Sequence, residues 1–243
     1  MNDLPQTEDA IARTDAPVSR ARLEADVNKA LETVYGGGVA IVPLDVAYAI
    51  VGHKENGIRK IFAAKRRSYE KPSGLLANAD ISDKIHILPD AKRRMIREMI
   101  EEERLPFSVV APFRTDHRFF KSVDPFVMAN SSKAGTIDML LNAGSFHDEI
   151  ARQAWKAQKP VFGSSANTSL MGSKYRLGDV EADVRAAADI AFDYGLSKYA
   201  NDEGRSSTII DFRDFSVVRI GVQFDRLERA FLSRFGVTLK RPA

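Results

Sequence analysis

The chain has no cysteine, which excludes disulfides, zinc fingers, iron–sulfur clusters and thiolate catalysis. The same absence fits a reducing compartment, and a cytoplasmic location is the expectation. Histidine is scarce. The four present, His53, His86, His117 and His147, are far apart in sequence without ligand-like neighbours, and each reads as a surface or packing residue. No G-x-x-x-x-G-K-[ST] loop, G-x-G-x-x-G fingerprint or H-E-x-x-H pair occurs, so no metal site is expected. Long hydrophobic runs are missing too: the most apolar stretch, residues 38–52, carries Pro43 and Asp45 in its middle. A carboxylate there would cost roughly 2.5–3.5 kcal/mol on insertion, so a membrane is not an expected partner. Residues 1–17 have early acids and no apolar run of signal-peptide length, and they read as a flexible tail. Strong charge of one sign is also absent. With 36 Lys+Arg against 33 Asp+Glu, a net +3 is too mild to name a partner.

What is present is an ordinary globular composition, 44% hydrophobic and 28% charged, in 243 residues, enough for a self-sufficient core. One domain over residues 18–243 is expected. Leu23, Val27, Leu31 and Val34 recur at helical spacing behind Ser19, a good N-cap, and three glycines end that helix. Residues 39–42 read as a strand closed by Pro43. Helices are expected over 56–64, 90–103, 146–158 and 180–194, and a last one capped by Asp225 with Leu227, Phe231 and Leu232 on its apolar face. Strands are expected at 107–110, 136–141 and 161–162, with a hairpin of 207–211 and 216–220 turning at Arg213-Asp214. Strands alternate with helices, so the fold class is α/β, with α+β as the alternative.

Charge is unevenly distributed. Residues 54–71 hold seven cations and two acids, a local excess of five. Such a window is either a solvated helix end, an anion site or a nucleic-acid contact. The loop Gly163-Ser164-Ser165-Ala166-Asn167-Thr168-Ser169 follows a strand, and its hydroxyls, amide and backbone N–H groups could line an anion nest. Alone, it is equally a turn.

In order, the chain carries Pro43-Leu44-Asp45-Val46-Ala47-Tyr48, Lys65-Arg66-Arg67, Ser165-Ala166-Asn167, Ser207-Thr208-Ile209-Ile210-Asp211 and Arg219-Ile220-Gly221. These elements resemble the P-T-D-T-x-Y, K-x-R, S-x-N, S-T-[IV]-[IV]-D and R-x-G elements of the YrdC-like family, which includes threonylcarbamoyl-adenylate synthases of tRNA modification. The resemblance spans about residues 20–221. It implies a twisted mixed sheet wrapped by helices around a concave, positively charged cleft. It also implies ATP, with Mg2+ carried on its phosphates, a small amino-acid substrate such as L-threonine, bicarbonate, and RNA or tRNA as a downstream partner. Lys65, Arg67, Ser165 and Asn167 would be the catalytic set and would surround the nucleotide phosphates, with Ser207, Thr208 and Arg219 completing the nucleotide side. Leu44, Asp45, Val46, Tyr48 and Leu140 would form the substrate pocket.

The departures bear on that pocket. Leu44 and Val46 stand where the family has threonines, Ala49 where it has glycine, and Leu140 and Asn142 where it has arginine and proline. Two hydroxyls and a guanidinium are lost, and Arg176 or Arg205 could replace the latter. Three readings follow: a threonylcarbamoyl-adenylate synthase, a divergent paralogue that binds nucleotide or adenylates another carbamate, and an RNA-binding module. Lys65→Ala or Arg67→Ala is expected to weaken ATP binding without unfolding the protein, if both side chains stand at an accessible cleft. Equilibrium nucleotide titration beside a thermal melt checks both parts.

Overall fold

The computed structural model describes residues 18–242, so the expected N-terminal tail lies outside the described residues. Ser19 caps α1 (Arg20–Tyr35) by accepting the Arg22 N–H, and the apolar stripe of Val27, Leu31 and Val34 is buried. The chain then forms β1 (Ala40–Val42), β2 (Ala49–Gly52), α2 (Glu55–Ala64), β3 (Gly74–Leu76), α3 (Ala79–Ile85), α4 (Asp90–Glu101) and β4 (Phe107–Pro112). Next come α5 (Pro125–Ala129), β5 (Ser132–Lys133), β6 (Thr136–Leu141), α6 (Ser145–Ala157), β7 (Phe162–Ser165) and α7 (Ala182–Ala186). The described chain closes with β8 (Ile190–Ala191), β9 (Ile209–Asp211), β10 (Ser216–Arg219) and α8 (Phe224–Phe235).

The ten strands of the described residues form one mixed sheet in the order β10-β9-β4-β6-β3-β7-β2-β1-β8, with β5 paired to β6. The pairs β1/β8, β3/β6 and β4/β9 are parallel; the others are antiparallel. Period-two alternation sorts the side chains onto two faces. Val39, Ile41, Leu75, Phe107, Val109, Ile137, Met139 and Ile210 enter one core cluster. On the other face, Ala40, Val42, Ala49, Val51 and Leu76 pack with Val27, Leu31 and Val34 of α1 and Phe146, Ile150 and Ala154 of α6. Ser108 and Val110 of β4, Gly74 of β3 and Asp138 and Leu140 of β6 belong to this second face by the same alternation, and they line a cleft there. None of the described helices is long and apolar enough to cross a membrane.

Two expected helices differ. Over 180–194 only Ala182–Ala186 is helical, and Ile190–Ala191 instead extends the sheet parallel to β1. The cause is tertiary: the Asp189 carboxylate accepts the Val39 N–H at 2.8 Å, and Phe192 N–H donates to Ile41 O at 3.0 Å. An edge strand with partners outweighs the helix propensity of the local alanines. In α8 the N-cap is Gln223 in a left-handed conformation, Asp225 lies in the first turn, and Leu232 is 56% exposed while Leu227 and Phe231 are buried. The sequence reading also missed β2, β3, β5, α3 and α5, all of seven residues or fewer.

Gly221 joins the hairpin to the cleft wall. Its N–H donates to Thr208 Oγ1 at 3.0 Å, and a Cβ there would overlap the Ser206 carbonyl and the Ser207-Thr208 backbone. Gly221→Ala should therefore lower unfolding free energy by about 3 kcal/mol, read from urea midpoints.

Candidate functional site

The cleft has a volume of about 850 Å³, within the roughly 300–1,000 Å³ usual for small-molecule and cofactor sites. Its lining includes Lys65 and Arg67 after α2, Ser164 and Ser165 at the end of β7, Asn167, Ser207 before β9 and Arg219 at the end of β10. Leu44, Val46, Tyr48 and Leu140 also line it. The structure thus brings together ten of the twelve residues singled out in the sequence. Asp45 and Thr208 fall outside the lining.

Lys65 is not an accessible cation. It is 1% exposed, and its Nζ donates to the backbone carbonyls of Ser165 and Asn167, with Asn167 Oδ1 at 3.5 Å. The expectation of a solvent-facing lysine is corrected: this side chain clamps the loop 163–169 to the end of α2. Burial, then the Arg67 charge, pushes its pKa down to about 7. The carbonyl acceptors oppose that by favouring the ammonium form.

The loop is not an open nest either. The N–H groups of Ala166, Asn167, Thr168 and Ser169 go to Tyr48 O, Ser165 O, Glu181 Oε2 and Lys65 O. Ser165 Oγ donates to Asn167 Oδ1, and Asn167 Nδ2 donates to Thr168 O. What this segment offers a ligand is its hydroxyls, above all Ser164 Oγ, which accepts from Arg67 Nη1 at 3.2 Å.

Arginines face the cleft, beside the exposed Lys71 and Lys133 of its lining. Arg67 is half-buried and held by Lys71 O at 3.0 Å and Pro72 O at 2.8 Å, which leaves one N–H on each terminal nitrogen. Arg219 reaches Ser207 O at 2.7 Å and Ser207 Oγ at 3.1 Å through Nη2, and its Nη1 has no hydrogen bond among the described residues. Burial, then Arg219, lowers the Arg67 pKa; enclosure within the concave wall lowers that of Arg219, although its surface still faces the opening.

Asp138 was not anticipated. It lies in β6 opposite Val110, with Gly74 leaving room beside it, and its Oδ1 is buried without a hydrogen-bond partner among the described residues. Burial pushes its pKa up to about 6, opposed by Arg219, the Ser108 hydroxyl and Arg67. A lone carboxylate inside the apolar strand TIDMLL was the available signal, because Asp138 and Leu140, two apart, share a face. Arg205 and Arg213 also line the cleft. Arg213 is paired with Asp211 through Nη2 to Oδ2 at 2.6 Å, and Arg176 does not line the cleft.

The remaining predicted residues have structural partners. Tyr48 contributes its ring; its hydroxyl lies between Asp193 Oδ1 and Gly195 O and accepts the Tyr194 N–H, and burial raises its pKa. Asp45 lines a separate 110 Å³ cavity with Ser145, Phe146 and Tyr194, and its carboxylate crowds Gly144, whose φ of +102° suits glycine. Thr208 Oγ1 donates to Val222 O at 3.2 Å and is fully buried.

The basic window of residues 54–71 is not one patch. Arg59 pairs with Glu55, Lys60 with Asp189 and Arg66 with Asp183, while only Lys65, Arg67 and Lys71 reach the cleft lining. Successive helical residues rotate by about 100°, so neighbours in sequence face different elements.

The family model for Sua5, YciO and YrdC, described as telomere recombination, matches residues 32–221. The chain belongs to this family. A hypothetical protein from Streptococcus mutans UA159 superimposes with a TM-score of 0.75 at 17% identity, covering 94% of this chain and 96% of that one. P. abyssi Sua5, complexed with L-threonine, gives 0.69 at 16% identity and covers 93% of this chain; the present chain spans 61% of its length. E. coli YciO gives 0.61 at 15% identity, covering 87% and 93%. At these identities the shared property is the fold.

Two predictions follow from the geometry. Lys65→Met leaves the Asn167 carbonyl unpaired and removes one of the two donors to that of Ser165, and should destabilise the protein by about 2 kcal/mol in urea unfolding. Sulfate affinity should rise as pH falls from 8 to 5.5, because Asp138 loses its charge as pH drops through about 6. The change is worth on the order of 1 kcal/mol, about fivefold. In Asp138→Asn it should vanish from the calorimetric titration.

Proposed function

We propose that this family member is a nucleotidyltransferase of the threonylcarbamoyl-adenylate synthase type. It would convert ATP, bicarbonate and an amino acid to a carbamoyl-adenylate and pyrophosphate, the activated group used in tRNA modification. The observation that carries the reading is the pair of guanidiniums, Arg67 and Arg219, presented with the Ser164, Ser165 and Ser207 hydroxyls inside one 850 Å³ cleft. These groups come from family elements about 12 to 150 positions apart in sequence, and they share a chemistry: binding of phosphate oxygens.

In this reading Arg67 and Arg219 hold the polyphosphate and stabilise charge as pyrophosphate leaves. Lys65 acts by holding the 163–169 loop in place. Magnesium would arrive on the phosphates. It needs few protein carboxylates, and no group of three histidines or acids that could hold a metal occurs among the described residues. Asp211 is occupied by Arg213, and Asp138 lies beside two guanidiniums, which disfavours a dication at either carboxylate.

A specific observation favours a paralogue with a different amino acid: the pocket wall at Leu44, Val46 and Leu140 is aliphatic, so it offers no side-chain hydrogen bond to a threonine hydroxyl. The RNA-binding reading has less support, because Arg59, Lys60 and Arg66 are paired with acids.

The test is release of AMP and pyrophosphate from ATP with bicarbonate across an amino-acid panel. Arg67→Met and Arg219→Met should each weaken ATP binding about tenfold or more while the circular-dichroism melt shifts little. ATP affinity weaker than millimolar, with no pyrophosphate from any amino acid, would overturn the reading. RNA affinity that falls steeply with salt in the absence of nucleotide turnover would favour the binding module.

A further inference from the structure

The floor of the cleft carries two chemistries side by side on β6. Asp138 has a buried oxygen with no hydrogen-bond partner among the described residues, and Leu140, two positions on, faces the same side. Leu140 sits next to Leu76 across the β3/β6 pairing, and Leu44 and Val46 line the same cleft, so the aliphatic wall has contributions from three segments. The guanidiniums of Arg67 and Arg219 act on Asp138 through space, yet neither forms an ion pair with it among the described residues. A half-buried carboxylate that forms no ion pair with the cations near it, and that keeps one buried oxygen unused, is costly unless a ligand completes it.

Simple anions do not fit that position, because Asp138 repels them. A cation lacking an anionic group would be repelled by the two arginines. A dipolar ion satisfies both, and the aliphatic wall roughly 6.6 Å along the strand specifies what else it carries.

We propose that the cleft selects an α-amino acid with an apolar side chain, its ammonium donating to Asp138, its side chain against Leu76, Leu140 and Val46, and its carboxylate toward the arginines. Asp138 is then the amine-recognition residue of the site. The assignment deepens the proposed function and rests on it, since the cleft has to be the shared nucleotide and amino-acid site.

The experiment is calorimetric titration at pH 7.5 of the wild-type chain with ATP, and separately, in the presence of ATP, with L-leucine, L-threonine and 4-methylpentanoate, which is leucine without its amine. L-leucine should bind about tenfold or more tightly than either L-threonine or 4-methylpentanoate, because each lacks one of the two matched chemistries. Asp138→Asn should weaken L-leucine about tenfold and leave 4-methylpentanoate unchanged or slightly tighter. A variant that merely loosens the fold would weaken both. ATP binding together with equal affinities for leucine and 4-methylpentanoate would overturn the amine assignment while leaving the nucleotide reading intact. Tighter threonine than leucine would overturn the apolar selection. Failure of ATP itself to bind would remove the proposed function, and this inference with it. The comparison of leucine with its desamino analogue uses wild-type protein only, so it stands even if Asp138→Asn does not fold.

Discussion

A single buried ammonium organises the cleft. Lys65 Nζ lies against two backbone carbonyls of a loop 100 and 102 positions away, and it has almost no access to water. That contact fixes the end of α2 relative to the end of β7, and therefore fixes Arg67, two residues on, relative to Ser164. It also turns the 163–169 loop inward, so the loop's N–H groups are spent on protein acceptors. An ammonium with carbonyl partners resists removal more than it rewards formation: truncating it strands the Asn167 carbonyl without a donor.

Around this clamp the cleft separates its chemistries by strand and by register. The floor is one face of the sheet, and the same alternation that drives Val109, Ile137 and Met139 into the core raises Ser108, Asp138 and Leu140 toward the opening. The walls come from the segment after α2, which carries Arg67, and from strand ends, which carry the serines after Gly163 and Arg219 held on Ser207. Guanidiniums at the wall and a carboxylate on the floor leave a gap for a ligand carrying both signs. Burial disfavours the charged form of Asp138, so its titration strengthens the cleft's attraction for anions as pH falls.

Much of the framework was legible from local pattern. α1 with its Ser19 cap, the buried stripe of Ile58, Ile61 and Phe62, the strand 136–141 and the 207–220 hairpin follow from periodicity and capping. What escaped were short strands without an alternating signal and the stretch after Ala186, where Asp189 and Phe192 bond to β1 across the sheet. At the site, the sequence order of motifs identified Lys65, Arg67, Ser165, Asn167 and Arg219 as neighbours. It did not reveal that Lys65 faces carbonyls, that Tyr48 and Thr208 spend their hydroxyls on backbone, or that Asp45 opens on a different cavity.

The division has a physical reason. Residue order alone determined the secondary-structure periods, the absence of thiol chemistry, and the aliphatic character of positions 44, 46 and 140, because these are properties of single side chains and near neighbours. Only the tertiary structure decided which charges share a space. The basic window of residues 54–71 is dispersed by helical rotation onto Glu55, Asp189 and Asp183, while Asp138, isolated in sequence among apolar residues, is carried by the pleat of β6 into the cleft lining, within electrostatic reach of two arginines.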